Sequence, residues 1–355
     1  MVTAPRACME TIVFIPPVFD ELKSGWLGSK GTGRHQPPRA ARRHITSGVV
    51  EAGIHAKQRS RHAPPFELTD RDASVLRALH RLRVLDRQQI EQLFFPNFSL
   101  ACKRLRLLYQ HGFVERLYRP PYPNGAVRGP AYRLGARGAK LLADEQGIAL
   151  PQFFYWGKGD DRDAHQVSVN YLFLEHALQL SSVRISIEAS ARASKCTIEQ
   201  WRDDVDIRRG KMGDEVRVEP GSGAKHVTMK VIPDGYIVLV TANGHTGHFF
   251  LEADRGSESV KEKWRRKILG YKALFSSGTF HKRYQVQERQ TAFRVLVTTP
   301  SLIRAQNLKA ATERYGDARL SQLFLFAPIS DVTQQDTLTA PIWLRGGTTG
   351  AQALL

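Results

Sequence analysis

The chain has 355 residues, enough for about two domains with separate cores. Its 52 lysines and arginines stand against 34 acidic residues, and a formal net charge of +18 points to a polyanionic partner. No stretch approaches the length of a membrane span and no lipidation signal is visible, so a membrane partner is not expected.

Cys8, Cys102 and Cys196 are too far apart for a metal knuckle or a disulfide framework, which suits a reducing cytoplasm. The apolar run from Thr11 to Phe19 follows Glu10 and is broken by Pro16 and Pro17, so it does not read as a signal peptide. Residues 1–66 are basic and rich in Gly, Pro and His without any helical or strand period, notably from Gly28 to Arg43. They are expected to form a disordered tail.

Order is expected to begin at Leu68-Thr69-Asp70, where Thr69 or Asp70 can cap a helix with an acidic first turn. Val75, Leu76, Leu79, Leu82 and Val84 give that helix one buried face and carry it to about Val84. A short helix follows from Asp86 to Phe95, stopped by Pro96. A third, from Ser99 to Gln110, turns Leu100, Leu105, Leu107 and Leu108 inward, leaves Lys103, Arg104 and Arg106 outward, and ends at Gly112.

Two strand-like runs come next, Phe113 to Tyr118 and Ala131 to Leu134, around the turn-rich segment from Pro120 to Gly125. Three helices and a hairpin are the order of a winged helix-turn-helix over residues 68–146, in which the third helix enters the major groove of duplex DNA. Lys103 and Arg104 are then expected at base edges, with Arg106 beside them. Arg116, Arg119, Arg128 and Arg133 are expected to serve the wing and its phosphates. The segment carries 14 basic and 7 acidic side chains, which favours DNA over the use of such a unit for protein interaction alone.

After a linker at 147–163, a helix is expected from Ala164 to Leu180. Strands are expected at Ile185 to Glu188, Val227 to Ile232, Tyr236 to Val240 and His248 to Ala253. A charged helix follows from Ser257 to Phe275, then a strand from Phe293 to Thr298, a helix from Ser301 to Tyr315 and a strand from Leu323 to Phe326. This order describes a mixed α/β domain over residues 164–328, with 329–355 as a C-terminal tail. The fold class is α+β.

Within that domain Asp234 follows Pro233 at a bend, and Glu252 and Asp254, two apart on a strand, share a face. Three carboxylates converging at a sheet edge could hold Mg²⁺, which could activate water against a phosphodiester. The bland alternative is that these acids pair with Arg255, Arg265 or Lys267. The basic run Lys261 to Lys267 could follow a DNA backbone or be a solvated helix face.

Pro233-Asp234 followed by Glu252-Ala253-Asp254 resembles the PD-(D/E)XK nuclease pattern. With the stretches Thr69 to Asp72 and Gly129 to Gly135, then Pro233 to Gly235 and Leu251 to Gly256, and downstream Lys267 and Tyr271, residues 68–328 resemble the replication-relaxation family. The resemblance implies a plasmid or other mobile element and a role in replication, copy control or DNA transfer. The nuclease pattern would place a lysine where Asp254 stands, so Lys263 or Lys267 would have to substitute from the next helix.

Two further functions are left open by the residues: a metal-dependent nickase or endonuclease using Asp234, Glu252, Asp254 and Lys267, with Asp234 and Glu252 as metal ligands, and a winged-helix repressor. A repressor would need a homodimer built through the second domain. No ATP-binding loop follows a strand, so no nucleotide cofactor is expected, and His245-Thr246-Gly247-His248 lacks the spacing of a relaxase metal site.

Overall fold

The computed structural model describes residues 59, 63–119, 121, 128–153, 155, 171–209, 214–218, 227–257, 259–286 and 292–355. Nearly all of the expected tail 1–66, Cys8, most of the turn 120–127, and residues 156–170 of the linker and expected helix lie outside them.

The first module starts on α1 (Asp70–Leu82). The Thr69 hydroxyl accepts from the Asp72 N–H, and the Asp72 carboxylate accepts from the Thr69 N–H at 2.9 Å, a reciprocal cap that satisfies two helix-end donors. The helix stops two residues before the expected end. Arg83 adopts a left-handed φ of 67°, and Val84 and Leu85 leave the helix as the buried strand β1 (Val84–Asp86).

Asp86 caps α2 (Arg87–Phe94) and Asn97 caps α3 (Phe98–Gln110). Gly112, at φ 76°, turns the chain into β2 (Val114–Leu117). β3 (Ala131–Leu134) pairs antiparallel with both β2 and β1, and α4 (Ala136–Glu145) closes the module. Val75, Leu76, Leu79, Ile90, Leu105, Leu108 and Leu142 form its core.

The long helix α5 (Tyr171–Ala193) includes the Ile185–Glu188 stretch that the sequence analysis assigned to a strand. Ile, Ser, Ile, Glu alternates with period 2, but Val183, Ile187 and Ala191 also recur every four residues, and helical spacing wins because all three bury on one side. The N-terminal half of α5 packs Leu174 and Leu178 against Val84, Leu117 and Ala131 of the first module. Its C-terminal half packs Val183, Ile187 and Ala191 beneath a large sheet. Burial of each Leu, Val or Ile among them contributes about 1.5–3 kcal/mol, so one helix belongs to both cores.

Polar contacts reinforce this union. Gln89 Nε2 donates to Ser182 Oγ at 2.7 Å and to the Leu178 carbonyl at 3.2 Å. Arg81 pairs with Glu188, and Arg83 pairs with Asp203 and, at 2.9 Å, with Asp204. These ties hold the strained Arg83 in place.

The second module is a seven-stranded sheet. β4 (Thr197–Asp203), β7 (Gly235–Val240) and β8 (Thr246–Ala253) pair antiparallel with one another in that order, and β9 (Phe293–Thr299) and β10 (Phe324–Pro328) continue parallel to β8. Between β4 and β7 the chain forms α6 (Asp204–Arg209) and the ribbon β5 (Asp214–Val218) and β6 (Val227–Val231).

A π-helical turn at Val260–Trp264 opens α7 (Arg265–Ser276), which is followed by α8 (Thr279–Arg283). α9 (Leu302–Tyr315) and the short α10 (Ala318–Ser321) then lead into β10. Trp264, Ile268, Tyr271, Phe280 and Leu308 cover the sheet face that carries Phe250 and Val295. α5 and α11 (Ile329–Gln334) cover the face that carries Phe249 and Leu251.

Residues 329–355 do not trail off as a tail. After α11 they add β11 (Trp343–Arg345) and β12 (Ala351–Gln352) to the sheet edge beyond β10. Trp343, Leu338, Ile342 and Leu354 are buried there, and a segment with that much apolar area gains more from packing than from solvation. The fold class is α+β with a mixed sheet. No helix among the described residues is long and apolar enough to cross a membrane.

Candidate functional site

Two surfaces gather the residues singled out by sequence. The first is the outer face of α3. Ser99, Lys103 and Arg106 are exposed there with Cys102 half-buried between them, at spacings of three and four that align them along one side of the helix. Phe98, at the start of the helix, is 49% exposed, and the Arg87 guanidinium stacks on its ring at 4.2 Å.

Arg104 is not on this face. Its Nε donates to the fully buried Asp72 at 3.1 Å, its Nη2 donates to the Glu67 carbonyl at 3.0 Å, and its guanidinium stacks on Phe66 at 4.9 Å. The expected base contact is a structural ion pair, because a helix position one residue from Lys103 turns by about 100° toward α1. The spare carboxylate in the α1 cap was the available signal, since Asp72 needs a cation once it is buried.

The four expected wing arginines are also engaged. Arg116 stacks on Tyr109 at 4.4 Å, and Arg133 pairs with Glu115 at 2.7 Å across the hairpin. Arg119 and Arg128 have side chains only 10% and 13% exposed, and both face Glu175 of α5, at 3.6 and 3.1 Å. They tie the hairpin to α5. Replacing both with Met should lower the melting temperature by leaving the half-buried Glu175 without its cations, while the salt dependence of any DNA binding stays as in the parent chain. A shallower salt slope at unchanged stability would contradict this assignment.

The second surface lies where β7 begins and β8 ends. The Asp234 N–H donates to the Leu251 carbonyl at 2.9 Å, and Asp234 Oδ2 accepts from the Ala253 N–H at 2.8 Å, so the bend before Gly235 fastens the carboxylate to the neighbouring strand. His176 Nε2 lies 3.1 Å from Asp234 Oδ1. Glu252 is buried and projects toward α7, where Lys267 Nζ donates to Oε2 at 2.9 Å and the Tyr271 hydroxyl donates to Oε1 at 2.6 Å.

Of the two candidate lysines, Lys267 therefore reaches the acids and Lys263 stays exposed. Asp254 does share the face of Glu252, but Arg304 of α9 captures it with bonds of 2.8 and 2.9 Å. The expected cluster of three carboxylates is a pair. The sequence reading missed His176, which α5 brings in from 58 residues away. Its distance along the chain left no local pattern to find.

The charges are coupled. Burial, relieved in part by Lys267 and worsened by the charge of Asp234, leaves the Glu252 carboxyl above the usual range. Asp234 is half-buried, which works against its charge, but the hydrogen bond and charge of His176, together with Lys267 and the Ala253 N–H, hold it below that range. His176 loses basicity to burial and regains more from Asp234, so its imidazole titrates above its ordinary value of 6.5. Burial and the adjacent Glu252 push the Tyr271 phenol well up.

A His whose folded value is raised adds stability that is complete below pH 6.5 and is lost as pH climbs through the raised value. The depressed Asp234 adds stability that is present above 3.8 and is lost on acidification. Thermal melts of wild type from pH 6 upward should thus fall, and those of His176→Gln should stay flatter. Parallel curves would show that the contact contributes nothing.

Among the described residues no group of three His, Cys, Asp or Glu side chains is placed to hold a metal ion. All four oxygens of Asp234 and Glu252 already meet a protein donor. This donor set does not fit an ion that needs a full protein cage. Mg²⁺, which keeps much of its shell as water and substrate phosphate, would have to displace some of these donors to bind here.

The molecule is thus a two-module α+β protein, joined through one shared helix, with an acid–lysine cluster at the ends of two interior strands of a mixed sheet. The replication-relaxation family model matches residues 76–289, more than half of the chain, and the chain belongs to that family. The match begins within α1 and ends after α8, so it takes in most of the first module and the part of the second that carries the cluster, while β9 and everything after it lie beyond it. Comparison with curated proteins finds no match, and comparison with solved structures finds none.

Proposed function

We propose that the chain is a duplex-DNA-binding protein in which residues 68–146 act as a winged helix and α3 is the element that reads the major groove. The observation that carries this is the exposed face of α3 with Ser99, Lys103 and Arg106. The order helix, strand, helix, helix, strand, strand supports it, since that arrangement presents the third helix outward. Family membership supports a role in the replication or transfer of a plasmid or other mobile element. The net charge of +18 supports a polyanionic partner.

The test is the binding of full-length protein to labelled duplexes from its own replicon and to unrelated duplexes, from about 50 to 200 mM salt. The reading expects affinity that falls steeply with salt and retains a preference for one sequence. Absence of duplex binding at low salt would remove it.

One observation favours a second reading, phosphodiester cleavage: Lys267 stands 2.9 Å from Glu252 in a cluster whose charges also couple Asp234. Asp234 and Glu252 would hold Mg²⁺, which would supply positive charge at the phosphate. Lys267 would keep the acids together and offer an ammonium to the same phosphate, and His176 would orient Asp234. Supercoiled plasmid with Mg²⁺ decides: nicking by wild type that is lost in both Asp234→Ala and Glu252→Ala would establish the enzyme. Plasmid that is bound but stays supercoiled would leave the second module as a DNA-holding scaffold.

A further inference from the structure

Five of the seven residues from Lys261 to Lys267 are basic, with Glu262 as the opposing charge. The π-helical turn and α7 sort them by face. Trp264, Ile268 and Tyr271 are buried against the sheet, with Trp264 Nε1 donating to Thr312 Oγ1 of α9 at 3.0 Å. Lys261, Lys263 and Arg266 are exposed, and none of these three pairs with a carboxylate among the described residues. Arg265 lies over the Tyr315 ring at 5.8 Å. At the inner edge of the same helix Lys267 and Tyr271 hold Glu252.

The helix thus carries Lys261, Lys263 and Arg266 exposed on its solvent side, with Glu262 among them, and contacts the acid–lysine cluster with its inner side. Exposed cations close together cost self-repulsion that Glu262 offsets only in part, and a polyanion that collects counterion-release free energy relieves it. We infer that the outer face of Lys261–Arg266 is a second nucleic-acid surface, separate from α3, which grips the sugar–phosphate backbone of DNA without reading sequence and leads it to the strand ends where Asp234 and Glu252 stand.

The winged helix would choose the site and this strip would hold the neighbouring backbone. Contacts between α5 and both modules keep the two surfaces on one body, as the shared cores of Leu174 and Leu178 on one side and Val183 and Ile187 on the other require. The inference rests on the proposed DNA-binding reading, and its test separates the two.

The experiment uses full-length protein with Lys261→Ala, Lys263→Ala and Arg266→Ala combined. Lys140→Ala, an exposed lysine on α4, is the control. Because all three side chains are exposed, the triple variant should melt with wild type. Its affinity should drop by a similar factor on every duplex, and the slope of log K against log salt should become shallower by about 2–3, near 0.9 per phosphate contact. Its ranking of sequences should be unchanged, while the control matches wild type.

A triple variant that binds every duplex with the slope of wild type would overturn the strip and leave the α3 reading standing. The same result with lost binding to phosphatidylserine vesicles would assign the strip to an anionic membrane instead, and would equally overturn it. If wild type binds no duplex, both readings fall together.

Discussion

Replacing Lys103 and Arg106 together with Ala should weaken binding to the preferred duplex on the order of 100-fold and erase most of the preference over unrelated sequence. Each base or phosphate contact from a positioned cation contributes roughly 1–3 kcal/mol, and 1.4 kcal/mol is a factor of about ten. Both side chains are exposed on α3, so the melting temperature should not move.

Arg104→Ala is the informative contrast. It sits between these two residues in sequence, yet it strips the cation from a fully buried Asp72, and the expected result is a loss of about 3–5 kcal/mol of stability. Its DNA binding, measured well below its melting temperature, should be near that of wild type. If Arg104→Ala lost DNA affinity at full stability and the double variant did not, the face assigned to α3 would be wrong.

The second large effect is expected at Lys267. Lys267→Met leaves Glu252, with only 3% of its side chain exposed, without its cation, and a buried unpaired carboxylate costs about 3–5 kcal/mol. The sign with pH follows from the carboxyl being held above its usual range. A raised acid is penalised when ionised, so the deficit is smallest at low pH, where Glu252 is protonated, and grows as pH rises through its folded value. Loss of Lys267 removes an influence that lowers that value and moves the transition further up. Adding Glu252→Gln should restore most of the stability, since a neutral amide at that position has no charge to leave unpaired. A deficit that does not grow anywhere as pH rises, or no rescue by Glu252→Gln, would mean that the pair is not what the lysine stabilises.

Much of this arrangement was legible in the residues. Apolar spacing in α1 and α3, the Thr69 cap and Gly112 located the first module, and Pro233-Asp234 with Glu252 located the bend and strand of the cluster. Lys267 stood beside Lys263 as one of two candidates, and only the packing of α7, which turns Lys267 toward Glu252, chooses between them. What sequence could not supply was partnership across long separations. Asp254 looked equivalent to Glu252 until Arg304, 50 residues on, took it away.

Arg119 and Arg128 looked like wing cations until Glu175 of α5 faced them. Ile185 to Glu188 read as a strand because four residues cannot distinguish period 2 from period 3.6 when the apolar residues beyond them are not weighed. β11 and β12 are three and two residues long, too short for any pattern, and their place is set by burial of Trp343 and Leu354.

The central claim is that α3 lies in a major groove, and methylation interference tests it most directly. Guanine N7 points into the major groove, and a methyl group there blocks a helix that occupies it. On the preferred duplex the account predicts interference at a short cluster of guanines for wild type, with the cluster lost in the Lys103→Ala, Arg106→Ala variant and kept in the Lys261→Ala, Lys263→Ala, Arg266→Ala variant. Tight binding that N7 methylation disturbs at no position would contradict it.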